Sequence, residues 1–404
     1  MNSYYFLHNE NISFASIWIN GGSNLDKFGK KGTNQILCSL LTKGCKGYDN
    51  FHFSELVDSH GADINNEALE DGIIISLKSI NDHFEKLFPL LELMVNEPNL
   101  LEKDFNNIKK THLFNLKKSN ENPFNKAFEN WRKIVYFKHP YAFDCLGYKT
   151  DLENISYEDI LNEYNNFKFR RKIILLNHQR KYFSDISTIE TKRLLKNNKL
   201  KNPNFPILNE RFIYKYQEGN QVIFMIGNKT CSQSAIDYLP LKLLESYLSF
   251  GMSSSLFKLF REQHGITYDV GVFNPDRENL APFLIYLSTS NNNSFNAFKI
   301  LLDFWNNITS EKISCKELHL AKVKLKGSLL AQKERTEEII NRKAQLIGFK
   351  INPNFDDECL NQIDLISSDK ILEISRKYFL KPYLSCIGSS INHKKMEEEW
   401  AKRY

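Results

Sequence analysis

The sequence has no Cys-x-x-Cys pair and no uncharged apolar run long enough to span a bilayer. Nor does it have a compact Lys/Arg stripe interleaved with aromatics. Each absence removes a class. The seven cysteines (Cys38, Cys45, Cys145, Cys231, Cys315, Cys359, Cys386) are odd in number and have no metal-type spacing. A disulfide scaffold is therefore not expected, and a reducing compartment with free thiols is. The first residues, Met1 to Asn9, show no basic segment leading into an apolar core. The expectation is a soluble, cytoplasmic protein with no membrane partner. Net charge is +6, spread over many lysines, so nucleic acid is not an expected partner.

What the chain does have is enough apolar residues for large cores. They make up 42% of 404 residues, which points to two or three packed domains rather than disorder. Ile12 to Asn20 alternates apolar and polar residues as a strand does, then breaks at Gly21-Gly22-Ser23. A helix over Phe53 to His60 stops at Gly61. Strand-like runs follow at Ala62 to Asn66 and Gly72 to Lys78. Periodic helices follow at Asp82 to Val95 and Glu102 to Lys118. Lys172 to Leu176 reads as a buried strand.

Residues 196–210 are polar with two prolines and read as a linker between residues 1–195 and 211–404. After it the order of elements repeats. Gln221 to Gly227 is a strand, Ile236 to Phe250 and Ser254 to Gln263 are helices, and Phe283 to Thr289 echoes Ile73 to Ser79. Phe295 to Trp305 and Ser314 to Leu330 echo the two long helices of the first half, at an offset of roughly two hundred residues. The expected fold class is α+β, in two similar halves, each an antiparallel sheet packed with helices.

Gly32 to Gly44 is an amphipathic helix with Ile36, Leu37, Leu40 and Leu41 on its apolar stripe. It resembles the helix of the M16 zinc peptidases (processing peptidases, insulinase, pitrilysin) that carries an inverted His-x-x-Glu-His motif. The three motif positions here hold Gln35, Cys38 and Ser39. The family's distal ligand, a Glu further along, matches Asn115. An amide, a serine and an interior thiol are poor replacements for imidazole ligands and a carboxylate base. The resemblance therefore implies the LuxS/MPP-like metallohydrolase fold, but with the zinc site lost and no cofactor in this chain.

The second half carries the more specific match. Phe250 to Val270 contains Gly251, Ser254, Leu256-Phe257, Leu259, Arg261-Glu262, Gly265 and Tyr268. It resembles the family's Gly-x-x-Ser-Arg-Leu-Phe, Leu-Arg-Glu and Gly-Leu-Ala-Tyr segment, with Ser255 departing from the first Arg. Glu317-Leu318 with Ala321-Lys322 and His139-Pro140-Tyr141 also match family segments. The resemblance implies that Arg261 and Tyr268 contact the substrate backbone and the developing oxyanion at a partner's zinc. An Arg fork and a phenol suit that role chemically. It also implies that Ala62, Asp63, Ile64, Asn65 and Asn66 form the edge strand on which a peptide is laid.

Plainer readings apply to the other candidates. His52 and His60 with Glu55 are not spaced as ligands on one helix face and read as ordinary polar histidines. Cys38 and Cys45 read as buried thiols. His112 reads as solvated or capping, and Glu70-Asp71 as a solvated turn. The expected function is that of a non-catalytic subunit in a heterodimer with a zinc-bearing M16 subunit, the substrate being a peptide or unfolded polypeptide. The alternative is a structural or peptide-binding homologue with no part in proteolysis.

Overall fold

The computed structural model describes residues 2–5, 11–177, 206, 208–389 and 392–404. Residues 196–205 and 207 of the expected linker lie outside the described residues. The chain is a mixed α+β structure with two five-stranded sheets. The first sheet consists of β1 (Asn2–Tyr5), β2 (Ile12–Asn20), β3 (Asp63–Ala68), β4 (Gly72–Ile80) and β5 (Lys172–Asn177), in the order β1-β5-β2-β4-β3. The second consists of β6 (Phe212–Tyr216), β7 (Gln221–Lys229), β8 (Asp269–Phe273), β9 (Pro282–Ser290) and β10 (Tyr383–Gly388), in the order β6-β10-β7-β9-β8. The two orders are the same topology. The repeat read from the sequence is a repeat of strand pairing.

Both sheets are antiparallel at their centres, and each has one parallel pair at an edge, β1 with β5 and β6 with β10. The register of β2 against β4 runs from Ile12 opposite Ile80 to Asn20 opposite Gly72. Alternation in β2 suggests one dry face, yet Phe14 to Ile19 are all buried. Ala15, Ile17 and Ile19 enter one core with helix Thr33–Leu41 and helix Asn81–Asn96. Phe14 and Trp18 enter a second, on the other face.

That second face is covered by helix Thr336–Gly348, which comes from the second half of the sequence. Ile340, Ala344 and Ile347 pack there with Phe14, Trp18, Ile173 and Leu175. Trp18 meets Phe349 edge to face at 5.5 Å, and Asn20 donates from Nδ2 to the Gly348 carbonyl at 2.9 Å. The reciprocal arrangement holds in the second sheet. Helix Pro123–Val135, from the first half, packs on β7 and β10, and Trp131 donates to the Tyr383 carbonyl at 3.2 Å. The first compact unit is thus drawn from Met1–Lys118, Phe143–Lys201 and Ala331–Phe355, and the second from Ser119–Ala142, Asn202–Leu330 and Asp356–Tyr404. A division at residues 196–210 keeps the order of elements but assigns these two helices to the other units.

The Trp18 indole is held between two glycines. A Cβ at Gly72 would come within 2.1 Å of its ring, and one at Gly348 within 2.2 Å of Nε1. Overpacking of this kind costs about 1–3 kcal/mol. Gly348→Val is expected to lower the urea midpoint by the equivalent of about 2 kcal/mol with the slope unchanged. An unchanged midpoint would mean that the indole moves aside freely and does not set the distance of this helix from the sheet.

Candidate functional site

The candidate site is built on helix Thr33–Leu41. Its start is fixed by a buried carboxylate. Asp26 accepts from the backbone N–H of Gly32 at 2.8 Å, from that of Asn34 at 3.0 Å and from Asn34 Nδ2 at 2.6 Å. These donors include amides that a helix N-terminus leaves without intrahelical partners. Gly32 itself sits at φ 99°, a left-handed conformation that favours glycine. Burial pushes the Asp26 carboxyl up to about 6, against the lowering effect of its hydrogen bonds and of Lys31. Arg170 donates to Asn34 Oδ1 at 2.8 Å and is ion-paired with Glu163, so the cap belongs to a buried polar network. At the other end, Asn66 of β3 donates from Nδ2 to the Cys38 carbonyl, one of the carbonyls left free at a helix C-terminus. This bond ties the edge strand to the helix.

Ile36, Leu37, Leu40 and Leu41 are fully buried, as the periodicity requires. Of the motif positions, Gln35 and Ser39 are half-buried and Cys38 is 2% exposed. Burial is the largest influence on Cys38 and pushes its thiol up to about 12, so no thiolate is present near neutral pH.

Helix Glu102–Glu121 buries Phe105, Ile108, His112 and Leu116, while Asn115 is exposed. His112, not Asn115, faces the motif helix, with Nε2 3.0 Å from the Ser39 hydroxyl. It is also not the solvated residue expected from the sequence, being 6% exposed. The reason is helical spacing: 105, 108, 112 and 116 form the apolar stripe, and 115 lies beside it. The signal was present in the sequence as that periodicity. The other His112 nitrogen, Nδ1, is buried without a hydrogen-bond partner among the described residues, and burial lowers the imidazole pKa.

This donor set does not fit a peptidase zinc. One imidazole is occupied by a serine, the thiol is held protonated, and Gln35 offers only an amide. Among the described residues no group of three or more His, Cys, Asp or Glu side chains is placed to hold a metal. The remaining candidates have ordinary partners. His52 bonds the Asp49 carboxylate at 2.9 Å at a helix start, and His60 stacks edge-on with His83 at 4.7 Å. All seven cysteines are free.

Ala62 is buried, and Asp63, Ile64, Asn65 and Asn66 lie in β3, which pairs with β4 on one side and forms an edge of the sheet. Arg261 lies in a π-helical turn, Phe257–Gln263, rather than in a regular α-helix. Such turns hold one extra residue in the helix and re-aim the side chains after it. The Arg261 side chain is exposed, with its guanidinium 5.2 Å from the centre of the Phe257 ring. Tyr268 is 65% exposed, and its backbone N–H donates to the Ser288 carbonyl at 3.0 Å, just ahead of the edge strand β8. Ser255, at the departed Arg position, bonds the Tyr247 carbonyl at 3.4 Å.

Ser39→Ala would leave both nitrogens of His112 buried and unpaired. The expected loss is about 1–3 kcal/mol of unfolding free energy, while Asn115→Ala should stay within about 0.5 kcal/mol of the parent. Urea denaturation of the two variants checks this. Equal losses would mean that the Ser39–His112 bond contributes nothing.

A family model described as Insulinase (Peptidase family M16) matches residues 6–147, and one described as Peptidase M16 inactive domain matches residues 175–325. The curated relatives include an uncharacterized zinc protease of Rickettsia felis, 24% identical over 373 residues, covering 89% of this chain and 87% of the relative. The uncharacterized zinc protease YmxG of Bacillus subtilis is 21% identical over 386 residues, covering 93% of each. Among solved structures, a peptidase M16 inactive domain from Pseudomonas fluorescens superposes with a TM-score of 0.82 at 20% identity, and a protease from Helicobacter pylori with 0.83 at 16%. Each covers 96% of both chains. Both halves match models of one family, and the whole fold is shared with solved structures: the chain belongs to the M16 (insulinase) peptidase family.

Proposed function

We propose that this chain is a non-catalytic subunit of a heterodimeric M16-type zinc peptidase. The observation that carries the reading is the contrast between two places in one chain. At the motif helix, Ser39 and His112 bond to each other and Cys38 is a buried thiol. At the π-helical turn, Arg261 and Tyr268 keep the family's residue types and are exposed. A side chain that served only packing would be covered, whereas a donor held for an external substrate must stay open.

In this reading the partner subunit supplies the zinc and its ligands. Arg261 supplies a planar fork of N–H donors to a peptide carbonyl, and Tyr268 supplies an O–H donor at the oxygen where charge develops. The open edge of β3 offers backbone N–H and C=O groups to an extended peptide, which gives sequence-tolerant binding. Asn66 keeps that strand against the motif helix by its bond to Cys38. No helix among the described residues is long and apolar enough to cross a membrane. The free cysteines fit a reducing, cytoplasmic setting.

A second reading, a structural or peptide-binding homologue without a part in hydrolysis, is favoured by one departure, Ser255 in place of the family's first Arg of that segment.

The test is zinc content and peptidase activity of the purified chain, alone and mixed with the zinc-motif homologue from the same source. The expected result is no stoichiometric zinc and no activity alone, with activity appearing on mixing. Arg261→Ala or Tyr268→Phe should then each lower kcat/KM of the mixture by about 10²–10³-fold, the scale of losing one oxyanion donor. Unchanged activity in both variants would remove the shared-site reading and leave the structural one. One zinc per chain with activity in the isolated protein would overturn both.

A further inference from the structure

Between Phe260 and Gly271 the chain passes from the π-helical turn into β8, and Ile266 is the one buried residue on that path. Arg261 and Tyr268 stand on either side of it, both exposed. The two are anchored differently. Arg261 directly follows Phe260, which is fully buried and packs edge-on against Phe304 with ring centres 6.1 Å apart. Tyr268 has no such neighbour, since Thr267 is half-buried and Asp269 is exposed. Its place is set by hydrogen bonds to strand β9.

Ile266 uses both of its backbone groups in that link. Its N–H donates to the Phe260 carbonyl at 3.0 Å, which closes the turn behind Arg261. Its carbonyl accepts from the hydroxyl of Thr289, the one hydrogen-bond donor to that carbonyl among the described residues. Thr289 is 0% exposed and lies in β9 opposite Val222 of β7. On its other side the pairing of β8 with β9 begins one residue earlier, with Asp269 opposite Ser288. Thr289 thus lies just past the end of that ladder, and its side chain holds the incoming chain where no backbone pair does. At the next residue, the Ser288 carbonyl accepts from the Tyr268 N–H at 3.0 Å and lies 2.7 Å from Thr267 Oγ1.

We propose that Thr289 is a positioning residue: by holding the Ile266 carbonyl it fixes where the Tyr268 phenol stands relative to Arg261. The inference rests on the shared-site reading, in which both donors meet one substrate. Donors aimed at one developing charge must be held within a fraction of an ångström. An exposed phenol is not held by packing of its own ring, so the precision comes from the backbone beneath it. Thr289→Val keeps the branched shape and removes the donor, which leaves the Ile266 carbonyl without that partner.

Hydrogen exchange on the purified chain tests the proposal without a partner. Thr289→Val should speed exchange of the Ile266 and Tyr268 amides about tenfold, the scale of one lost hydrogen bond, and leave the amides shared between β7 and β9 at the parent rate. Thr289→Ser should match the parent. In the mixture with the zinc-motif homologue, Thr289→Val should lower kcat about tenfold with KM unchanged, and Thr289→Ser should restore it. With Tyr268→Phe already present, Thr289→Val should cost no further activity, because the O–H that it places is gone. Unchanged exchange, or an equal loss of activity in both backgrounds, would overturn the proposal. Loss in Tyr268→Phe with none in Thr289→Val would overturn it and leave the shared-site reading standing. No loss in Tyr268→Phe would remove that reading and the positioning role with it.

Discussion

A sheet whose central strands are apolar on both faces must be covered twice. In β2, odd-numbered Ala15, Ile17 and Ile19 face one core while Phe14 and Trp18 face another. The helices that follow β2 and β4 in sequence supply the first cover. The second is helix Thr336–Gly348, which lies far along the chain. The second sheet solves the same problem with helix Pro123–Val135. Leaving either second face bare would expose a fully buried tryptophan, Trp18 on the first sheet or Trp131 on the helix that covers the second. Apolar surface of that extent is worth roughly 25 cal/mol for each Å² removed from water, so the exchange is a requirement of the double-faced strands rather than an ornament.

The first face of that covered sheet supports the motif helix. Asp26 holds the helix start, Asn66 holds one carbonyl near its end, and Ile36, Leu37, Leu40 and Leu41 press it onto the sheet. The helix is therefore fixed at both ends and along its apolar stripe. Ser39 and His112 meet beside it at 3.0 Å in one hydrogen bond. The helix keeps its place through packing and caps, which do not depend on what its half-buried face carries.

Much of this was legible in the chain. Ile12–Asn20 as a strand, the helices after it and the repeated order in the second half follow from periodicity, because a buried stripe needs apolar residues at fixed spacing. The motif positions Gln35, Cys38 and Ser39 were also legible, since they sit inside a well-marked amphipathic helix. Asn115, chosen by the resemblance, is exposed. The stripe of Phe105, Ile108, His112 and Leu116 decides which residues of that helix turn inward. The π-helical turn at Phe257–Gln263 was read as an ordinary helix, because one extra residue in a turn leaves no composition signal.

By itself the sequence determined the class of fold and the two-fold repetition, since these depend on residue type and local spacing. Only the tertiary structure decided that each unit takes a helix from the other half and that His112 pairs with Ser39. Those depend on contacts between residues far apart in the chain. An amphipathic helix records in its sequence that one face must be buried, but not against which surface.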